Sequence, residues 1–93
     1  MALSSFTTLE PSWRIVVIAQ LSRQTLAQSR VIAKGERIRD VRRLVRTYGG
    51  KPAGWVKKGS PPFVMAGRWY EYHWYEHRGI GRVELKRKQV DKP

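Results

Sequence analysis

Residues 68–90 read RWYEYHWYEHRGIGRVELKRKQV, and the reading of this stretch decides the fold. Arg68 to His77 is crowded with aromatics, which favour strands, and Arg82 to Val90 alternates Val83 and Leu85 with Arg82, Glu84, Lys86 and Lys88. The two segments predict a β-hairpin. A two-residue turn at Gly79-Ile80, with Gly79 supplying the positive backbone angle of a type II′ turn, pairs Arg78 with Gly81. The register that follows sets His77 against Arg82, Tyr75 against Glu84, His73 against Lys86 and Glu71 against Lys88. Because side chains alternate, Tyr72, Trp74, Val83 and Leu85 form a core face, and Glu71, His73, Tyr75 and His77 share the other face with Glu84, Lys86 and Lys88.

Upstream of the hairpin, Phe63 to Ala66 reads as a short strand ending in a turn at Gly67. Lys51 to Pro62 reads as a loop, with turn signals at Lys51-Pro52, Gly54, Gly59-Ser60 and Pro61-Pro62, and it holds Trp55, Lys57 and Lys58. From Lys34 to Tyr48 the residues Ile38, Val41, Leu44, Val45 and Tyr48 recur at steps of three and four, which predicts an amphipathic helix stopped by Gly49 and Gly50. Its other faces carry Arg37, Arg39, Arg42, Arg43 and Arg46. From Pro11, the residues Trp13, Ile15, Val16, Val17, Ile18 and Leu21 are apolar at nearly every position, which suits a buried helix or a buried strand. A helix is preferred, since Glu10-Pro11 makes a start and helix formers continue to about Ala33. Residues 1–10 are small and polar and are expected to be a flexible end, so that residues 11–93 form one basic domain. The expected fold is α+β: N-terminal helices packed on an antiparallel sheet of three or four strands.

A chain of 93 residues has room for one modest core. It contains no cysteine, which excludes disulfides and thiolate chemistry, and leaves its four tryptophans and four tyrosines as the main packing material. The net charge is +12, and sixteen of the basic residues follow residue 33, against six acidic ones. Basic excess on this scale points to a polyanionic partner, phosphate above all, and RNA is favoured over DNA. No run is long enough for a membrane span, and Met1 to Glu10 lacks the basic leader and apolar stretch of a secretory signal, so a cytoplasmic site of action without membrane is expected.

Titratable groups of different kinds converge on the charged hairpin face. Metal-free cleavage of RNA needs a base for the 2′-hydroxyl proton, an acid for the leaving oxygen and cations for the phosphorus oxygens. Histidine as a residue type titrates near neutral pH, so His73 and His77 suit either proton role, with Glu71 or Glu84 as reserve base and Lys86, Arg82, Lys57 and Lys58 as phosphate holders. The plainer alternative is that the histidines are hydrogen-bonded strand residues and the Glu/Lys pairs ordinary cross-strand pairs. Trp55, Trp69 and Tyr75 could stack on unpaired bases, or could equally be core. The helix arginines, Arg42 and Arg46 among them, either hold phosphate or form a solvated face. His73 and His77, with Glu71 and Glu76 on opposite faces, do not make a compact ligand set, so neither metal nor other cofactor is expected. No serine lies in a nucleophile elbow, and the Rossmann and Walker glycine patterns are missing.

Tyr48-Gly49-Gly50-Lys51-Pro52, Trp55-Val56-Lys57-Lys58, Tyr72-His73-Trp74-Tyr75-Glu76-His77 and Gly81-Arg82-Val83-Glu84-Leu85-Lys86 carry a resemblance over Ile38 to Lys88, about half the chain. In these pieces the chain resembles the C-terminal toxin modules of bacterial polymorphic and contact-dependent toxins. Several of those look like the barnase, EndoU, colicin and RelE assemblage of metal-independent ribonucleases. The resemblance implies a toxin that cuts RNA in a target cell and is neutralised by a dedicated immunity or antitoxin protein, expected to be acidic. It points to His73, Glu76, Arg82, Glu84 and Lys86, with Lys51, Trp55 and Lys57. Without chemistry, the same surface would serve a plain RNA- or DNA-binding module.

Overall fold

The computed structural model describes residues 21–93. The expectations of a flexible end at residues 1–10 and of a helix at residues 11–20 lie outside the described residues. A short helix α1 (Arg23–Ala27) opens the described chain, its first turn capped by Ser22, whose Oγ accepts from the Thr25 N–H at 3.0 Å. The chain then enters strand β1 (Arg30–Lys34) where a helix to Ala33 was expected, because the β-branched pair Val31-Ile32 finds a partner strand. A single 3-10 turn at Gly35–Arg37 leads to helix α2 (Val41–Tyr48). The expected helix from Lys34 is thus shortened to its second half, since Ile38 is extended and Asp40 takes the N-cap position.

Four strands follow: β2 (Trp55–Gly59), β3 (Phe63–Met65), β4 (Arg68–His77) and β5 (Gly81–Gln89). The sheet is antiparallel and five-stranded, more than the three or four expected, because the glycine- and proline-rich segment read as a loop contains β2. Long β4 organises it. One of its edges receives β2 along residues 73–77 and β3 along residues 68–70, and β5 runs along the other. Between β2 and β3, buried Ser60 keeps the seam closed: its N–H donates to the Tyr72 carbonyl and its Oγ accepts from the Tyr72 N–H, both at 2.9 Å.

The hairpin register agrees with the sequence at one end and departs from it at the other. His73 pairs with Lys86 and Glu71 with Lys88, as expected. Past His73, however, Tyr75 pairs with Val83, Glu76 with Arg82 and His77 with Gly81. The slip has two causes. The turn spans three residues, Arg78 to Ile80, with the Ile80 N–H donating to the His77 carbonyl at 3.0 Å, and it is Gly81 (φ 114°) that takes the positive angle. A β-bulge then absorbs one residue opposite Trp74, with Glu84 in the left-handed region at φ 57°.

That bulge redistributes the core. Val83 and Glu84 both face α2: Val83 packs there with Tyr75 and Trp55 against Ile38, Val41 and Leu44, and Glu84 bonds to side chains of the helix. Tyr75 keeps the face it was expected to share with His73, but α2 covers that part of the face and makes it core. Trp74 and Leu85 are buried on the reverse face, as expected for them. Among the described residues no helix is long and apolar enough to cross a membrane.

Candidate functional site

α2 covers the hairpin-loop half of one sheet face, and at its edge a groove of about 300 Å³ opens, lined by Lys57, His73, Tyr75, Glu84, Lys86 and Lys88 among others. His73 and Lys86 are cross-strand partners on this face, and Lys57 lies opposite Tyr75 on β2. Lys57, Lys86 and Lys88 line the groove and make no ion pair among the described residues.

His73 is held from behind. Its Nε2 lies 2.9 Å from Oε1 of buried Glu71, which also accepts from Arg30 Nη2 at 2.9 Å. The hydrogen bond from His73 lowers the Glu71 pKa below the ordinary carboxylate value, and Arg30 assists, against the opposing cost of burial. An ionised carboxylate only accepts, so Nε2 bears the imidazole proton and Nδ1 keeps its lone pair in the neutral ring. The His73 side chain is 15% exposed. Arg30 is itself steadied by the Ser60 carbonyl, which accepts from Nη1 at 3.1 Å. Gly59, the β2 neighbour of His73, makes room for the ring, since a Cβ there would lie 3.2 Å from His73 Cδ2 and 3.4 Å from Arg30 Nη1.

Glu84 is not a free base. Arg43 donates to both of its oxygens and Tyr48 Oη donates at 2.9 Å, so the carboxylate forms a neutralised wall of the groove. The hydrogen bond to Glu84 in turn raises the Arg43 pKa. Beside it, burial and then the Asp40 carboxylate push the Tyr75 hydroxyl pKa up, and Tyr75 Oη donates to Asp40 Oδ2 at 3.3 Å.

Other residues singled out from the sequence lie elsewhere. His77 sits at the far end of β4, its Nδ1 accepting from the Gly79 N–H at 3.1 Å and its ring 5.2 Å from that of Trp55. A Cβ on Gly50 or Gly54 would collide with this ring, so His77 fills a packing slot away from His73. Trp55, expected in a basic loop, is fully buried, with Nε1 donating to the Gly49 carbonyl at 3.0 Å, and it presents no face to a base. Lys58 and Arg82 point to the reverse face, where both pair with Glu76, at 3.1 Å and 3.4 Å. There burial raises the Glu76 pKa, but hydrogen bonds from Trp74 and Lys58 and the Lys58 and Arg82 charges outweigh it, leaving a net lowering.

Arg42 and Arg46 are exposed on α2, with Arg42 Nη2 3.8 Å from Glu36. Exposed Lys51 lines a separate cleft with Lys34 and Glu36. Among the described residues no three acidic or histidine side chains gather as a metal-ligand set.

Sequence reasoning missed Arg30, read as helical, and Gly59, read as a turn residue. The signal for Arg30 was the short β-branched run after Ser29, bounded by Gly35. No family model matches this chain, and no curated protein or solved structure matches it either.

Proposed function

We propose that this chain is a metal-independent endoribonuclease, with His73 as the proton acceptor and the groove lysines as phosphate holders. The observation that supports this reading best is the Glu71–His73 pair at the back of a groove whose other charged lining includes three lysines without an ion pair among the described residues. A carboxylate behind an imidazole fixes its tautomer and stabilises the imidazolium that forms on proton transfer.

The reaction follows from those parts. His73 Nδ1 takes the 2′-hydroxyl proton, O2′ attacks phosphorus, and the bond to O5′ breaks. The Lys86 ammonium, on the neighbouring strand, supplies the proton that the leaving oxygen needs, while Lys57 and Lys88 balance charge on the non-bridging oxygens. The products are a 2′,3′-cyclic phosphate and a 5′-hydroxyl. DNA, without a 2′-hydroxyl, binds and is not cut. The resemblance to bacterial toxin modules extends the reading to a toxin acting on cytoplasmic RNA and held in check by an acidic immunity or antitoxin protein.

The test is incubation with total RNA in EDTA. Wild type is expected to cut, and His73→Ala to lose about 100-fold or more of the rate while still binding. Intact RNA despite tight, salt-sensitive binding would instead identify a binding module, and full cleavage by His73→Ala would remove His73 from the chemistry.

A further inference from the structure

Of the aromatic side chains that the sequence offers for stacking on bases, Trp55 and Tyr75 are buried in the core, which leaves Trp69. Trp69 lies on β4 two and four residues before Glu71 and His73, and side-chain alternation puts all three on one face. Trp69 is partly exposed. Its β3 partner Val64 is 55% exposed, and Lys88 stands opposite Glu71 between Trp69 and His73. The backbone of Trp69 is fixed, its carbonyl accepting from the Val90 N–H at 3.0 Å. Among the described residues no hydrogen bond or ring contact engages its indole.

We infer that Trp69 is a base-stacking platform that continues the His73 groove, and that the groove takes single-stranded RNA. The inference rests on the reading of this groove as an RNA site and specifies the substrate class. A flat indole in a partly exposed residue near Lys88 matches the means by which proteins hold unpaired bases, whose faces are accessible only outside a duplex. Four strand residues span roughly 14 Å, so the stacked base belongs to a nucleotide beside the cleaved linkage rather than at it.

Titration of a labelled, single-stranded 2′-O-methyl oligonucleotide measures binding without cleavage, because the attacking hydroxyl is blocked. A strand of equal length built of abasic residues serves as the second probe. Wild type is expected to prefer the strand with bases. Trp69→Ala is expected to weaken that strand about 5- to 100-fold and the abasic strand little, with an unchanged salt slope, since stacking and no phosphate contact is lost. Trp69→Phe keeps most of the affinity.

Equal binding by Trp69→Ala and wild type, equal losses on both strands, or wild-type binding to neither strand would overturn the inference. Should Trp69→Ala fail to fold by thermal melting, a wild type without preference for bases overturns it alone. The two readings fail separately: a wild type that cleaves RNA but is indifferent to Trp69→Ala sinks the platform, whereas base-dependent binding without cleavage sinks the nuclease.

Discussion

Arg43 grips both carboxylate oxygens of Glu84 at 2.8 Å each, and so ties α2 to a residue that β5 holds at a left-handed backbone angle of 57°. For a residue with a side chain that angle costs about 1–2 kcal/mol, offset here by bonds to the helix. Arg43→Ala is expected to lower stability by about 1–2 kcal/mol, a figure reduced because the guanidinium is 41% exposed. Glu84→Gly loses the same pair but relieves the backbone, and is expected to cost less. Urea unfolding of the two variants checks the order, and the reverse order would show that the left-handed angle is not a strain.

Stability should fall on acidification with a share traceable to Glu71. Its folded-state pKa lies below the ordinary 4.5, so its ionised form stabilises the fold above that value, and the contribution drains as pH falls from there through the folded-state value. Urea midpoints measured from about pH 6 to pH 3 should therefore decline less steeply in Glu71→Gln than in wild type. Parallel declines would mean that the carboxylate gains nothing from His73 and Arg30.

Gly59→Ala probes the seat of His73 without touching its chemistry. The added Cβ would meet Ile32 Cδ1 at 3.0 Å and His73 Cδ2 at 3.2 Å, so the ring must give way. A stability loss of about 1 kcal/mol is expected, with RNA cleavage down about 10- to 100-fold, since small misplacements of a proton acceptor are costly. Unimpaired cleavage would show that the ring position does not matter.

Lys57 and Lys58 are neighbours in sequence on opposite faces of β2. Lys57→Ala should weaken RNA binding and reduce the salt slope by about one charge, and Lys58→Ala should leave both nearly unchanged, with Glu76 still held by Arg82 and Trp74. Equivalent effects from the two would mean that RNA does not select the groove face.

The buried positions Val41 and Leu44 of α2 and the pairing of His73 with Lys86 were legible because both rest on simple periodicities, near four and two, whereas Ile38 is buried beside them from an extended residue before the helix. Legibility ended where one residue broke the period. Glutamate gives no sequence sign of a left-handed bulge, a place where glycine or asparagine is the usual marker, and beyond Glu84 the register moved by one and turned Val83 onto the face of His73 and Tyr75. Trp55-Val56-Lys57-Lys58 was hidden among glycines and prolines, although those residues bound the strand and do not interrupt it. Arg30 could not be joined to Glu71 from sequence at all, since their contact spans 41 positions and exists only once β1 is added to the sheet.

The pairing of Glu71 with His73 as a working base is tested most directly by the single-turnover rate of RNA cleavage against pH, in EDTA, for wild type and Glu71→Gln. The wild-type rate should rise with pH to a plateau, as a reaction that needs an unprotonated base requires. Without the carboxylate nothing fixes the tautomer and orientation of the His73 ring, so in Glu71→Gln the plateau rate should fall about 10- to 100-fold. Superimposable profiles, or no cleavage at any pH, would contradict the account.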